Sequence, residues 1–527
     1  MEQHFNNYEN TFADVKKSSD RNPDSLDTLW GWICLILGYF FCRSFPAFLK
    51  PLYGLIFVIL LYLSTTIILV LKKAKFGKAA ICVAVSGVAV AGSLFLSGNM
   101  VIHIFGFCYA FFAYCYYVCA ATENRLEGGL SSYILIDFLK AVFVVPFCSI
   151  NRTIAVFRGK KGNKFGSIVG RILVGVLITV IPTAIVFSLL SFDGGFLRLL
   201  SRIFDFKPID IAKQIASIIF AIPIGAYLLS LFISAFDKKA KKIITLKDCK
   251  DKSQKASIAP VITVLTATIP LLFLYIVFFI SQWKYYVSGF FGELPENINY
   301  ATYARDGFFQ LLAVSAINFV IIAAISFFVK KKNKIEDVLI RILNIIICIF
   351  TLILISTAIS KLVLYINEYG LTSKRLHAFW FMMVLTLIFI AVILKQFIVK
   401  IKLIPIAFII SVVMFFVLSV SGGEGAIAKY NVDRYLDGSL DEIIVSDSGK
   451  PDDATIPQYV RLEKELLKRV ERIPTDKMSE YIASNDFKTL VEIKFAFEKY
   501  SAKSEYNWYE ITLPRLMAKS AMSQREH

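Results

Sequence analysis

Few residues in this chain combine a reactive side chain with a suggestive spacing, and those that do gather at two places. The first is Tyr303-Ala304-Arg305-Asp306-Gly307-Phe308-Phe309-Gln310, leading into an apolar run that also holds Asn318. The second is Asn367 and Glu368, then Tyr369-Gly370-Leu371-Thr372, then Arg375 and His377, ahead of Phe379, Trp380 and Phe381. Arginine offers a planar fork of donors that fits carboxylate and phosphate. Arg305, Asp306, Gln310, Glu368, Arg375 and His377 are therefore the candidate residues for binding an anionic headgroup or solute. Salt bridges within the chain, set under an aromatic belt, account for the same residues without any ligand.

Catalytic signatures are missing. The chain has no HExxH, P-loop, GxSxG or CxxC pattern. Its histidines are His4, His103, His377 and His527, too dispersed for a zinc site. Cys115 and Cys119 share a helical face without a histidine or carboxylate partner, which reads as packing. No catalytic residue, metal site or cofactor is expected. The segment 44–51 carries no carboxylate, which argues against transfer from a lipid-linked sugar donor. No apolar run holds an aspartate or glutamate at its middle, which argues against a proton relay.

The elements that must position these residues are membrane helices. Continuous apolar runs recur about eleven times between Leu29 and Ser421, each near the roughly 20 residues that cross a bilayer. They do not alternate, so they are helices rather than barrel strands. The expected spans are 29–43, 52–71, 79–97, 101–121, 168–191, 214–236, 258–280, 307–329, 338–360, 378–399 and 403–421. Residues 130–150 are long enough to cross, but Asp137, Lys140 and Pro146 make an interfacial or re-entrant helix the better expectation. Segment 192–213 suits an amphipathic helix lying on a membrane face. Arg341 and Asn344, three residues apart, share a face near one end of their span, where the arginine can snorkel.

The charge of the chain is +18, but residues 422–527 hold 16 Lys+Arg and 19 Asp+Glu, so the rest carries +21. Much of that excess sits in alternate loops, including eight lysines between Lys238 and Lys255. Such alternation is an orientation signal, not a nucleic-acid surface. It places the polar N-terminal tail, residues 1–28, inside and the C-terminus outside. The expected setting is the cytoplasmic (plasma) membrane, with the bilayer, and in particular anionic lipid, as a partner. Residues 422–527 turn polar, and helices are expected over 457–472, 475–484, 486–502 and 508–524. The fold class is thus all-α: a polytopic membrane domain over 29–421 followed by a small helical domain over 422–527 outside the membrane.

The strings YARDGFFQLLAVSAIN, YGLTSKRLHAFWFM, AIAKYNVDRYLDG and YNWYEITLPRLMAKSA, in this order, resemble an uncharacterised bacterial family of polytopic membrane proteins, domain of unknown function 4173, and its relative 4153. The resemblance runs from about residue 260 to the end and implies architecture, not activity. Its pattern has a glutamate where this chain has Gln310, a departure that speaks against carboxylate chemistry here. It aligns Asn431, Arg434 and Tyr435, and with Asp433 these suggest that the C-terminal domain docks on the outer clusters. Lacking catalytic signatures, the chain reads first as an envelope scaffold, accessory subunit or sensor whose outer domain meets an envelope protein. A transporter or flippase for a lipid or anionic solute, with Gln310, Asn318 and Arg341 lining a cavity, is the alternative. A membrane enzyme acting on envelope lipids or polymers is the third reading.

Overall fold

The computed structural model describes residues 24–44, 51–150, 208–237, 243–291, 300–398, 400–421, 423–443, 452–501 and 512–526, plus isolated positions at 152, 153, 156, 186 and 445. The chain is all-α; its only strands among the described residues are Ala259–Pro260 and Val329–Lys330, paired in parallel. Ten described helices are long and apolar enough to cross a membrane. The expected span 168–191, position 186 apart, and most of segment 192–213 lie outside the described residues. Contacts divide the chain into two units, residues 1–95 with 100–246, and residues 96–99 with 247–527.

The first unit contains α1 (Ser25–Ser44), α2 (Pro51–Leu71), α3 (Lys78–Ser93), α4 (Met100–Ala121), α5 (Ile134–Phe143) and α6 (Pro208–Asp237). Helices α1 and α6 meet backbone to backbone. A Cβ at Gly38 would stand 2.5 Å from the Ala221 carbonyl oxygen, and one at Gly225 would stand 3.0 Å from that of Cys34. Small residues allow this approach where lipid supplies no hydrophobic drive between helices. Helices α2 and α4 are tied by hydroxyls: Thr65 to Tyr114 at 3.0 Å, Thr66 to Tyr117 at 2.8 Å, and Tyr62 to the Ala110 carbonyl at 2.9 Å. Segment 130–150 is the ten-residue α5 followed by a 3-10 turn at Val145–Phe147, so it contains no continuous membrane-length helix. Pro146 falls inside that turn, as its missing N–H and fixed φ favour.

The second unit contains α7 (Leu246–Ala256), α8 (Val261–Phe291), α9 (Tyr300–Phe328), α10 (Lys334–Tyr369), α11 (Ser373–Phe397) and α12 (Leu403–Val420). After these come α13 (Gly423–Leu436), α14 (Ile456–Glu471), α15 (Met478–Ile482), α16 (Asn485–Ser501) and α17 (Leu513–Glu526). Helices α8 to α11 share an apolar core that includes Leu311, Ile347, Leu354 and Phe389. Inside it, the fully buried Asn318 accepts from the Tyr275 hydroxyl at 2.5 Å and donates to Thr351 Oγ1 at 2.9 Å. This ties α8, α9 and α10 in a setting where an unpaired amide would be costly.

A second core lies in the C-terminal helices. Ala428, Val432 and Tyr435 of α13 pack with Ile456, Leu462 and Leu466 of α14 and with Ile493 and Phe497 of α16. The helical periodicity of these residues explains the packing: each helix turns one apolar stripe inward. Glu463 is buried within this layer and takes two hydrogen bonds from Arg525, at 2.7 and 3.0 Å.

Candidate functional site

The candidate residues that the structure brings together surround the turn between α10 and α11. Helix α10 ends at Gly370, whose φ of +73° lies in the left-handed region that glycine adopts without strain. Space also restricts this position. A Cβ here would lie 2.9 Å from the Asn431 Oδ1.

Arg375 is spent on this turn. Its guanidinium donates to the carbonyls of Tyr369, at 2.9 Å, and of Gly370, and stacks over the Tyr365 ring at 4.0 Å. These carbonyls belong to the last residue of α10 and to the glycine that caps it, where the helix leaves carbonyls without a partner. A cation there also complements the helix dipole. Glu368 is exposed in that last turn, and His377 is half-buried in the first turns of α11. Gln310 is exposed on α9. Arg305 and Asp306 belong to the first turns of α9, and their side chains lie outside the described residues.

Helix α13 grips the same turn. The Asn431 side chain accepts from the Leu371 N–H at 2.7 Å and donates to the Leu371 carbonyl at 2.8 Å, so one amide satisfies both backbone groups of one residue. Arg434 donates to the Ile366 carbonyl at 3.4 Å and to Asn367 Oδ1 at 3.3 Å. It also closes the end of its own helix, reaching the Ser439 carbonyl at 2.8 Å. Asp433 points elsewhere, pairing with Arg461 of α14 at 2.6 Å. At the other end of α13, Glu424 accepts from Ser373 Oγ at 2.5 Å and from Asn99 Nδ2 at 3.4 Å.

The geometry follows from one-residue offsets on a single helix. Ala428, Val432 and Tyr435 form the stripe that enters the C-terminal core, while Asn431 and Arg434 stand on the adjoining stripe and face the turn. Helix α13 is therefore part of two structures at once. Its Tyr435 hydroxyl donates to Asp486 at 2.8 Å and accepts from Thr489 at 3.3 Å, and burial raises its pKa to about 12.

Ser373 and Glu424 carry no signal in the sequence, since a short polar pair 51 residues apart makes no pattern. Asn318 stands out in its apolar run, but its partners Tyr275 and Thr351 look like ordinary span residues. Arg341, which sequence placed near a span end, pairs with Asp337 at 2.7 Å and reaches the Gln396 carbonyl at 3.3 Å. No set of three or more metal-ligating side chains converges among the described residues.

A family profile described as "Domain of unknown function (DUF4153)" matches residues 78–453. This chain belongs to that family. The match begins at α3 and ends beyond α13, so it takes in the α10–α11 turn and the helix that grips it. Comparison with curated proteins and with solved structures gives no match to either. Family membership and ten membrane-length helices make this a multi-pass membrane protein.

Proposed function

We propose that this protein of the DUF4153 family is a non-enzymatic component of a bacterial cell envelope, related also to the 4173 family. Its membrane helices hold a C-terminal helical domain, outside the cytoplasmic membrane, ready for a protein partner. The supporting observation is the double hydrogen bond between Asn431 and Leu371. The arginines best suited to binding an anion at this turn are already occupied within the protein, and Arg434, like Asn431, links α13 to it. Arg375 is used on carbonyls and an aromatic ring, Arg434 on carbonyls and an amide, and Asp433 on Arg461. The lysine-rich loops support an N-terminus inside, against anionic lipid, and an α10–α11 turn outside.

A photo-crosslinking residue at Val491, exposed on α16, tests this reading in intact membranes. The expected result is one discrete protein adduct that disappears when Asn431→Ala loosens the domain. Absence of an adduct, together with lipid scrambling by the purified protein in vesicles, would replace this proposal with the flippase.

A further inference from the structure

The first unit holds a buried polar cluster that neither its packing nor the proposal above employs. Asn124, just past the end of α4, is 1% exposed, and both atoms of its side-chain amide lack a hydrogen-bond partner. The hydroxyls of Ser149, Thr153 and Ser234 are also buried and unpartnered. Native proteins leave few such atoms, and each one asks for an explanation.

A series of contacts links these residues, with Cys119 between Asn124 and the rest. The Asn124 N–H donates to the Cys119 carbonyl at 2.8 Å, and the Cys119 thiol lies in electrostatic range of Asp137, Lys140 and Cys148. Ser149 follows Cys148, and Thr153 sits one turn on, its N–H bonded to the Ser149 carbonyl at 3.3 Å. Helix α6 runs alongside. Ser230 donates to the Pro146 carbonyl and Asp237 pairs with Arg152, so Ser234, between them on the same face, is set against the Ser149 stretch.

Counting only the buried and half-buried described groups, and not the exposed glutamates, cations outnumber carboxylates by one. Lys140 is 2% exposed, a burial that lysine reaches only at a cost. Arg125 is half-buried one residue from Asn124. Against these stands Asp137, buried and accepting from the Leu126 N–H at 3.0 Å. Arg152 and Asp237 cancel each other, and Glu123 and Glu127 are exposed at the edge. The Asn124 Nδ2 group, three hydroxyls and two cations make a donor-rich set, and each of these donates to anionic oxygen, while Asn124 Oδ1 can only accept, as from a water.

We infer that this cluster binds a phosphate-type anion, held by the Asn124 amide and the hydroxyls of Ser149, Thr153 and Ser234, with Lys140 and Arg125 as counter-charges. The anion is either free phosphate or the phosphodiester of a lipid headgroup, since both offer the same oxygens.

The test uses the full chain and its thermal unfolding, followed by tryptophan fluorescence. One arm compares potassium phosphate with potassium chloride at matched ionic strength in detergent. The other compares phosphatidylcholine nanodiscs with and without phosphatidylglycerol. The midpoint is expected to rise with phosphate if the source is the free anion, and with phosphatidylglycerol alone if it is the headgroup. Asn124→Leu should weaken that response about ten- to a hundred-fold, the worth of a hydrogen bond to a charged group. Without ligand its midpoint should equal or exceed that of the parent, because an unsatisfied buried amide has gone. Should that variant not fold, Ser149→Ala with Ser234→Ala serves under the same criterion. A parent protein indifferent to both additions overturns the inference, as does a shift of equal size in the variants; water alone then satisfies these atoms.

Discussion

Replacing Asn431 with alanine should release α13 and the C-terminal helices it packs with from the α10–α11 turn while leaving both apolar cores intact. The substitution removes the hydrogen bonds of 2.7 and 2.8 Å to Leu371. Each is worth about 1 kcal/mol net, and the partly buried N–H and carbonyl left behind add to the loss, for a total of about 2–3 kcal/mol. The remaining links from Arg434 to this turn are long, 3.4 and 3.3 Å, and cannot make up the difference. The undocked population should then rise roughly thirty- to a hundred-and-fifty-fold. Limited proteolysis of the purified protein reads this as faster cleavage between α12 and α14. Hydrogen exchange reads it as lost protection at the Leu371 amide. Asn431→Asp keeps the acceptor for Leu371 N–H but sets an oxygen against its carbonyl, so it should be intermediate. Digestion and exchange indistinguishable from the parent would refute the claim that α13 fastens the domain.

Gly370→Ala should destabilise the same junction by about 1–3 kcal/mol, from its left-handed backbone and from a methyl group meeting Asn431 Oδ1 at 2.9 Å. Thermal unfolding of the pair with Asn431→Ala should show non-additive losses. Arg375→Ala should lower the unfolding midpoint by the equivalent of about 1–2 kcal/mol through the uncapped end of α10, with Arg375→Lys retaining part of it. Stability unchanged by Arg375→Ala would reopen a ligand-binding role. Above pH 10 the domain should weaken: Tyr435 is held neutral by burial up to about pH 12, whereas in the unfolded chain it ionises near 10. Its contribution is therefore complete below pH 10 and is lost as pH climbs through about 12, a decline that Tyr435→Phe should flatten. Arg525→Ala should cost about 3 kcal/mol by leaving Glu463 buried without its cation, measured as a denaturation midpoint.

The membrane helices were legible in the sequence because continuous apolar runs admit few other readings. The helices of 456–526 were legible through their periodic apolar positions. Segment 130–150 was marked as unusual by Asp137, Lys140 and Pro146, and it does break into a short helix and a turn. What neighbours those charges could not be read, because Cys119 approaches them from α4, outside the segment. Residue type drew notice to Arg375 and Arg434, but not their occupation: their partners are mostly backbone carbonyls, which every residue has. Asn431 is the clearest case. Both of its hydrogen bonds go to the backbone of Leu371, 60 positions away, and a leucine gives no sign of that task.

The placement of the C-terminal helices outside the membrane carries the functional proposal, and one labelling experiment tests it. In intact cells carrying a cysteine-free background, a thiol reagent that cannot cross the membrane is applied to Glu442→Cys, on the loop after α13, and to Lys247→Cys, in the lysine-rich stretch before α8. The proposal predicts labelling at position 442 at once and at 247 only after permeabilisation. Labelling of 247 with protection of 442 would contradict it.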